Sequence, residues 1–194
     1  MKSSAGFLKW KLRMHGSIFN LLKKFVVENY DTATWGNLLK SAGIGHSDYD
    51  EHVAYPDEEI NAILSAASYS TGLTAAALQE KFGEYIAPDL MNGYKKYMRP
   101  EWKTFEVLEY TEPIMHTAAR TEDAAMSPPV LNTMKVSENL IIIDYYSKRR
   151  MGSLAIGITR GIAKYFHEEN EITVTSTTED NAERVQIRVE RSHK

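Results

Sequence analysis

Two spacing patterns of apolar residues divide the chain near residue 129. In the first part, apolar residues recur every three or four positions, as at Ile18, Leu22 and Phe25, which is typical of amphipathic helices. In the last third the spacing falls to two, as at Val185 and Ile187, which is typical of strands that bury one face. The pattern therefore predicts a helical part followed by a sheet.

Turn and cap residues set the boundaries of the predicted elements. In the first part, Pro88 is expected to end one helix, and Pro113 is expected to kink or restart another. Helices are predicted from residue 14, over 32–42, from Pro56, from Thr74 to Pro88, over 89–98 and over 103–118. In the second part, strands are predicted over 131–136, 139–146, 172–177 and 184–190, with a helix over about 150–168.

This order, helices and then a ββ-α-ββ unit, predicts an α+β fold with a four-stranded antiparallel sheet. We expect residues 1–13 to be an N-terminal extension and residues 14–194 to form a single domain. The apolar stretch near the N-terminus is short and is interrupted by Lys9 and Lys11, so it predicts no signal peptide and a cytoplasmic protein.

Composition removes several classes of function. The 194 residues include no cysteine, which excludes thiolate chemistry, iron–sulfur clusters and covalent c-type haem attachment. A net charge of −3 suggests neither a nucleic-acid partner nor a membrane surface, and no run is long enough to span a membrane. Sequence signatures of nucleotide-binding and hydrolytic enzymes are missing, so we do not expect an enzyme.

Three local features are candidates for chemistry, and each has an ordinary structural alternative. The His and carboxylate residues of 46–52 suggest a metal site or a solvated acidic loop. His116 follows Ile114 and Met115, and such a histidine is either a metal ligand or a core residue with satisfied hydrogen bonds. Pro128 and Pro129 form a rigid connector.

The third candidate follows the predicted strand 139–146. If the chain stays extended, Tyr145, Ser147 and Arg149 project to one face. A phenol, a hydroxyl and a guanidinium then converge, which suits a carboxylate. The alternative is a polar strand face beside a helix N-terminus.

Together, His116, the double proline Pro128-Pro129 and the Tyr145 segment resemble the haem-nitric-oxide/oxygen-binding family, called H-NOX or HNOB. The family carries an axial histidine about thirteen residues before a proline, as His116 precedes Pro129. It also carries a Y-x-S-x-R motif, matched by Tyr145, Ser147 and Arg149, and a Met-x-Gly start, matched at Met14. The resemblance covers residues 14 to about 190.

The resemblance implies haem b between the helical part and the sheet. His116 is the implied iron ligand, Tyr145, Ser147 and Arg149 the propionate-binding residues, and Pro129 the residue that presses on the macrocycle. Family members that hold dioxygen have a tyrosine nine residues after the motif tyrosine, where this chain has Leu154. The implied distal residues are all apolar: Ile18, Leu22, Ile86, Leu90, Leu154 and Ile158.

An apolar distal side predicts a sensor that binds nitric oxide and CO but forms no stable dioxygen complex. Release or movement of His116 is then the expected signal. A bacterial histidine kinase or cyclic-di-GMP enzyme (diguanylate cyclase or phosphodiesterase) is the expected separate partner. Two other functions stay open: a haem-free relative that acts as a scaffold or binds another apolar carboxylate, and a haem peroxidase, for which an acid–base residue is missing from the distal side.

The sequence departs from the family pattern at three places. Thr117 and Ala118 follow the histidine where a second His or Asp-His is frequent, and Ala124-Ala125 stand where Pro-Gly is frequent. Pro113 lies three residues before His116 and is expected to disturb the helix that carries the ligand.

Overall fold

The computed structural model describes residues 13–123 and 126–192. The first part contains two short strands and four helices, which end in a single 3₁₀ turn over Lys95–Tyr97. Their bounds are β1 Arg13–His15, α1 Gly16–Asn29, α2 Thr32–Ser41, β2 Ala54–Pro56, α3 Asp57–Thr71 and α4 Ala75–Tyr94. The strands β1 and β2 pair as a small antiparallel sheet, with Met14 opposite Tyr55; the apolar pattern did not predict it.

After the 3₁₀ turn, one continuous helical run leads into the main sheet. The elements are α5 Thr104–Tyr110, a π-helical segment Thr111–His116, α6 Thr117–Glu122, β3 Val130–Ser137, β4 Leu140–Tyr146, α7 Gly152–Tyr165, β5 Ile172–Ser176 and β6 Arg184–Arg191. The four strands are antiparallel in the order β3-β4-β6-β5. The predicted α+β fold and its four-stranded antiparallel sheet are confirmed.

The expectation that Pro88 ends a helix is wrong, because α4 continues through it to Tyr94. Proline inside a helix costs about 3 kcal/mol. Ile86 and Met91, on either side of the proline, are both buried, and burying each such side chain gains about 1.5–3 kcal/mol. Packing of α4 therefore outweighs the local cost of the proline.

Pro113 is accommodated without a break, by a change of helix type. The segment Thr111–His116 is π-helical and joins α5 to α6 without a loop. The Thr111 hydroxyl donates to the Val107 carbonyl over 2.7 Å, and the Thr117 hydroxyl donates to the Glu112 carbonyl over 3.1 Å. These hydroxyls help to satisfy carbonyls near a residue that has no N–H, and π turns often occur at functional sites.

Two hydrophobic cores pack against each other and define where a site can lie. One core joins the sheet to α5 and α7 and includes Phe105, Ile143 and Ile187. The other joins α1–α4 and includes Phe19 and Phe82. Leu90 and Ile158 pack against both cores, so α4 and α7 form the boundary between the helical part and the sheet.

Candidate functional site

A cavity opens between the two cores. Its volume is about 250 Å³, close to the lower end of the roughly 300–1,000 Å³ of ligand pockets. Met14, Ile18, Ile86 and Leu90 come from β1, α1 and α4, Leu154 and Ile158 come from α7, and Leu108, Met115, Leu131, Ile143, Tyr145 and Ile187 come from the α5-to-α6 run and the sheet. The lining is thus mostly apolar, with His15, His116 and Arg149 among the polar residues.

His116 lies at the end of the π-helical segment and lines this cavity. Its side chain is 15% exposed. The imidazole Nδ1 lies 2.8 Å from Oε2 of Glu112, one helical turn earlier. Burial lowers the pKa of His116, although hydrogen bonding to Glu112 opposes the shift. A neutral ring that donates Nδ1–H to the carboxylate leaves the lone pair of Nε2 available to a metal.

Glu112 is held by three groups, one from its own segment and two from neighbouring elements. Besides the imidazole, its Oε1 lies 2.8 Å from the Arg120 guanidinium on α6, and Oε2 accepts the backbone N–H of Leu131 on β3 over 3.0 Å. Burial raises the pKa of Glu112, but the hydrogen bonds from Arg120, His116 and Leu131 outweigh it, and the net pKa is lowered. The carboxylate is therefore an ionised acceptor for the imidazole.

Tyr145, Ser147 and Arg149 come together, but not by the extended geometry that the spacing suggested. Strand β4 ends at Tyr146, and the chain turns, with the Arg150 N–H donating to the Ser147 carbonyl over 3.1 Å and with a positive φ of 56° at Arg150. The Ser147 hydroxyl bonds the Tyr145 phenol and accepts the backbone N–H of Arg149 over 3.2 Å. The motif converges through a turn, so the expectation of an extended strand is wrong.

Arg149, at 10% exposure, is held by three hydrogen bonds. Its Nε donates to Oδ1 of Asp57 over 3.1 Å, and one terminal nitrogen donates to the Ser127 carbonyl over 2.7 Å. The other terminal nitrogen donates to the Arg13 carbonyl. A guanidinium has five N–H groups, so after these three bonds two donors remain for another acceptor.

Asp57, the first residue of α3, is buried, and its Oδ2 has no hydrogen-bond partner. Burial raises its pKa, and the charge and hydrogen bond of Arg149 partly oppose that rise. Burial likewise raises the pKa of the Tyr145 phenol. At this corner of the cavity, the Arg149 cation and the Tyr145 phenol line the wall. Asp57, an incompletely satisfied acid, contacts Arg149 without lining the cavity itself.

The cavity gathers most of the residues that the sequence predicted, with two exceptions. Pro129, His116, Tyr145, Arg149, Ile18, Ile86, Leu90, Leu154 and Ile158 all line it. Leu22 is buried in the core of the helical part, and Ser147 lies behind Tyr145 and Arg149 rather than on the wall. Ala124-Ala125, singled out in the sequence, lie outside the described residues.

Sequence reasoning missed Asp57 and Glu112. The four-residue spacing of Glu112 and His116 was readable as a helical pair. Nothing in the pattern around Asp57 distinguished this buried acid from the less buried acids beside it, Glu58 and Glu59, since all three suit the first turn of a helix.

The acidic segment 46–52 shows ordinary pairing. His46 lies 3.2 Å from Glu59, and His52 is 79% exposed. Within residues 13–123 and 126–192, no group of three or more His, Asp or Glu side chains is placed to hold a metal ion. Over the same residues, no helix combines the length and apolar character needed to cross a membrane.

Comparison with known protein families supports the resemblance found in the sequence. The sequence model of a family described as HNOB, Haem-NO-binding, matches residues 15–174. A search of curated proteins gave no match.

Solved structures support the fold. An H-NOX protein from S. oneidensis in the Fe(II)NO ligation state has a TM-score of 0.84 and 20% identity, over 93% of this chain and 100% of that chain. The Fe(II) unliganded H-NOX protein from K. algicida has a TM-score of 0.80 and 18% identity, over 93% of this chain and 98% of that chain.

Proposed function

Because the chain belongs to the Haem-NO-binding (H-NOX) family of haem-based gas sensors, we propose that it is a haem-based sensor selective for nitric oxide. The observation that supports this most directly is the cavity itself. The His116 imidazole and the Arg149 cation stand in a lining that is otherwise largely apolar. The other histidine of the lining, His15, contacts Asp123 through Nε2 at 2.9 Å.

The chemistry of this lining fits haem b, an apolar ring with two carboxylates. His116 would ligate the iron through Nε2, because Nδ1 is engaged by Glu112. Arg149, with two free donors, and the Tyr145 phenol would bind propionates, and Ser147 would orient both side chains. Pro129 would contact the ring. Bound haem supplies an iron with an open coordination position for a gas.

Selectivity follows from the apolar side chains that α1, α4 and α7 place on the wall. Dioxygen bound to ferrous iron gains from a hydrogen-bond donor, whereas nitric oxide and CO bind without one. Leu154 occupies the position of the tyrosine that dioxygen-holding family members carry, and Ile18, Ile86, Leu90 and Ile158 line the same cavity. Leu22 would act one layer behind them, since it packs in the core of the helical part.

We propose that signalling rests on movement or release of His116. The imidazole is anchored through Glu112 to α6 and to β3, so a displacement of His116 would be passed to both elements. The receiver would be a separate bacterial histidine kinase or cyclic-di-GMP enzyme, and the sensor itself would be non-catalytic and cytoplasmic. Residues 14–194 would form the sensor domain, with 1–13 as an extension.

The first experiment is the ultraviolet–visible spectrum of the purified protein, reconstituted with haem and reduced. We expect a Soret band that shifts with NO and with CO and that air changes only by slow oxidation. A stable oxygenated spectrum would contradict the NO selectivity. Absence of a Soret band after reconstitution would contradict haem binding and leave the carboxylate-binder alternative.

Two substitutions test the proposed roles of Leu154 and His116. Leu154→Tyr should create a hydrogen-bond donor and slow dioxygen release, with Leu154→Phe as the control of similar size without a hydroxyl. His116→Gly should lose haem unless imidazole is added, because the free imidazole fills the space of the missing ring. Unchanged haem content in His116→Gly without imidazole would show that another residue is the ligand.

A further inference from the structure

We propose that Glu112 is a positioning residue that fixes the His116 imidazole with Nε2 as its free nitrogen and strengthens that nitrogen as a donor to iron. This inference rests on the proposed haem binding. It adds a residue outside the set Tyr145, Ser147 and Arg149, and it makes the strength of the iron–histidine bond a property that a carboxylate controls.

The first argument is that the Glu112 carboxylate is itself held in place. Arg120 fixes Oε1 from α6, and the Leu131 N–H fixes Oε2 from β3, at 2.8 and 3.0 Å. The imidazole therefore meets an acceptor anchored on two sides rather than a mobile surface acid. Glu112 is 23% exposed and His116 15% exposed, so bulk water screens the contact only weakly.

The second argument concerns the proton. The Pro129 carbonyl is a second acceptor beside the imidazole, so geometry alone leaves a competition for the single N–H of a neutral ring. A carboxylate accepts an N–H about twice as strongly as a neutral carbonyl does. The Glu112 contact at 2.8 Å therefore keeps the proton on Nδ1.

The third argument is electronic. A histidine that ligates a metal and donates its other N–H to a carboxylate becomes a more basic ligand, and removing the carboxylate costs about 10–100-fold in metal affinity. Glu112 should thus oppose displacement of His116. Signalling by release of the histidine would then have to overcome a stronger iron bond, while the contacts of Glu112 pass the displacement to α6 and β3.

A haem-free measurement tests the positioning alone. Long-range ¹H–¹⁵N spectra of the ¹⁵N-labelled full chain report which imidazole nitrogen carries the proton. We expect Nδ1–H in the wild type and in Glu112→Gln, whose side-chain carbonyl still accepts, and loss of that preference in Glu112→Ala. A wild-type proton on Nε2 would overturn the proposal, whether or not the protein binds haem.

The haem-loaded protein tests the electronic effect. In the reduced, unliganded state, the iron–histidine stretching frequency should fall in Glu112→Gln, which keeps the hydrogen bond but removes the charge, and should fall further in Glu112→Ala. Haem affinity of Glu112→Ala should drop by about 10-fold or more. Glu109→Gln removes a carboxylate from the same helical run and should match the wild type.

The experiments distinguish failure of the Glu112 proposal from failure of the proposed haem binding. If Glu112→Gln and Glu112→Ala both keep the wild-type frequency and haem affinity, Glu112 has no influence on the ligand and the proposal fails. If the wild type takes up no haem, the proposed function fails while the proton position is still measured. Should Glu112→Ala not fold, Glu112→Gln, whose single carbonyl oxygen can still accept from His116 and Leu131, decides the electronic claim.

Discussion

The guanidinium of Arg149 and the carboxylate of Asp57 form a buried ion pair across 92 residues of sequence, with Nε donating to Oδ1 over 3.1 Å. The pair joins the turn after β4 to the first residue of α3. It therefore ties the sheet to the helical part at the edge of the cavity, and the same guanidinium also reaches the carbonyls of Arg13 and Ser127.

Arg149→Ala should lower the free energy of unfolding by about 3–5 kcal/mol, because it leaves a buried carboxylate without its partner. Urea denaturation measures the loss. The double variant Arg149→Ala/Asp57→Ala should be less destabilised than the sum of the single variants, because each single change already removes the pair. Additive losses would mean that the two side chains act independently.

Asp57 should make stability depend on pH. Its pKa in the folded protein is raised by burial, so the folded state holds a proton that the unfolded state has lost. The free energy of unfolding should then fall as pH rises from about 4, the ordinary Asp value, through the raised pKa. Asp57→Asn should lack this component, which paired denaturation curves across that range measure. Parallel pH profiles of the two proteins would contradict it.

His15 on β1 and Asp123 after α6 form a second long-range contact, with Nε2 to Oδ2 at 2.9 Å. His15→Ala should cost about 1.5 kcal/mol, the lower end for hydrogen bonds to charged groups, because Asp123 is 26% exposed. Thermal and urea unfolding measure it. His52→Ala is the control: this histidine is 79% exposed and should change stability by less than about 0.5 kcal/mol.

Gly157 should not tolerate a side chain. A Cβ there would lie 2.1 Å from the backbone carbonyl oxygen of Glu80, so α7 and α4 would have to separate. Gly157→Ala should cost about 3 kcal/mol, the upper end for overpacking. Gly36→Ala in α2 meets nothing within 4 Å and should instead gain up to about 1 kcal/mol from helix propensity. Equal effects at both sites would rule out the steric explanation.

The spacing of apolar residues predicted the fold more reliably than the turn and cap residues did. The strand around Ile187 alternates apolar and polar residues because one face is buried, and such a pattern leaves little freedom in register. Proline was a mixed guide. Pro88 was expected to end a helix but lies inside α4, whereas Pro113 was expected to disturb a helix and lies where the run changes from α to π without a break. Tertiary packing and a π turn absorbed the cost, and neither is visible in local spacing.

The candidate site likewise contains residues that the sequence revealed and residues that it did not. His116, Pro129 and the Tyr145 motif were found because their order and spacing resemble those of a known family. Asp57 and Leu131 meet them only through the tertiary fold, from α3 and from the backbone of β3. A partner that contributes a buried acid or a main-chain N–H leaves no local signal in the sequence.

The π-helical segment also sets the rotation of α6 relative to α5 about the helix axis. A π turn holds one residue more than an α turn, and each α-helical residue advances by about 100°. The faces of α6 are therefore offset from those of α5, and a helical wheel drawn from α5 would assign His116 to the wrong side. Deleting one residue between Thr111 and Met115 would restore the α phase and rotate His116 away from the cavity. The number of residues in this stretch thus determines which way His116 faces.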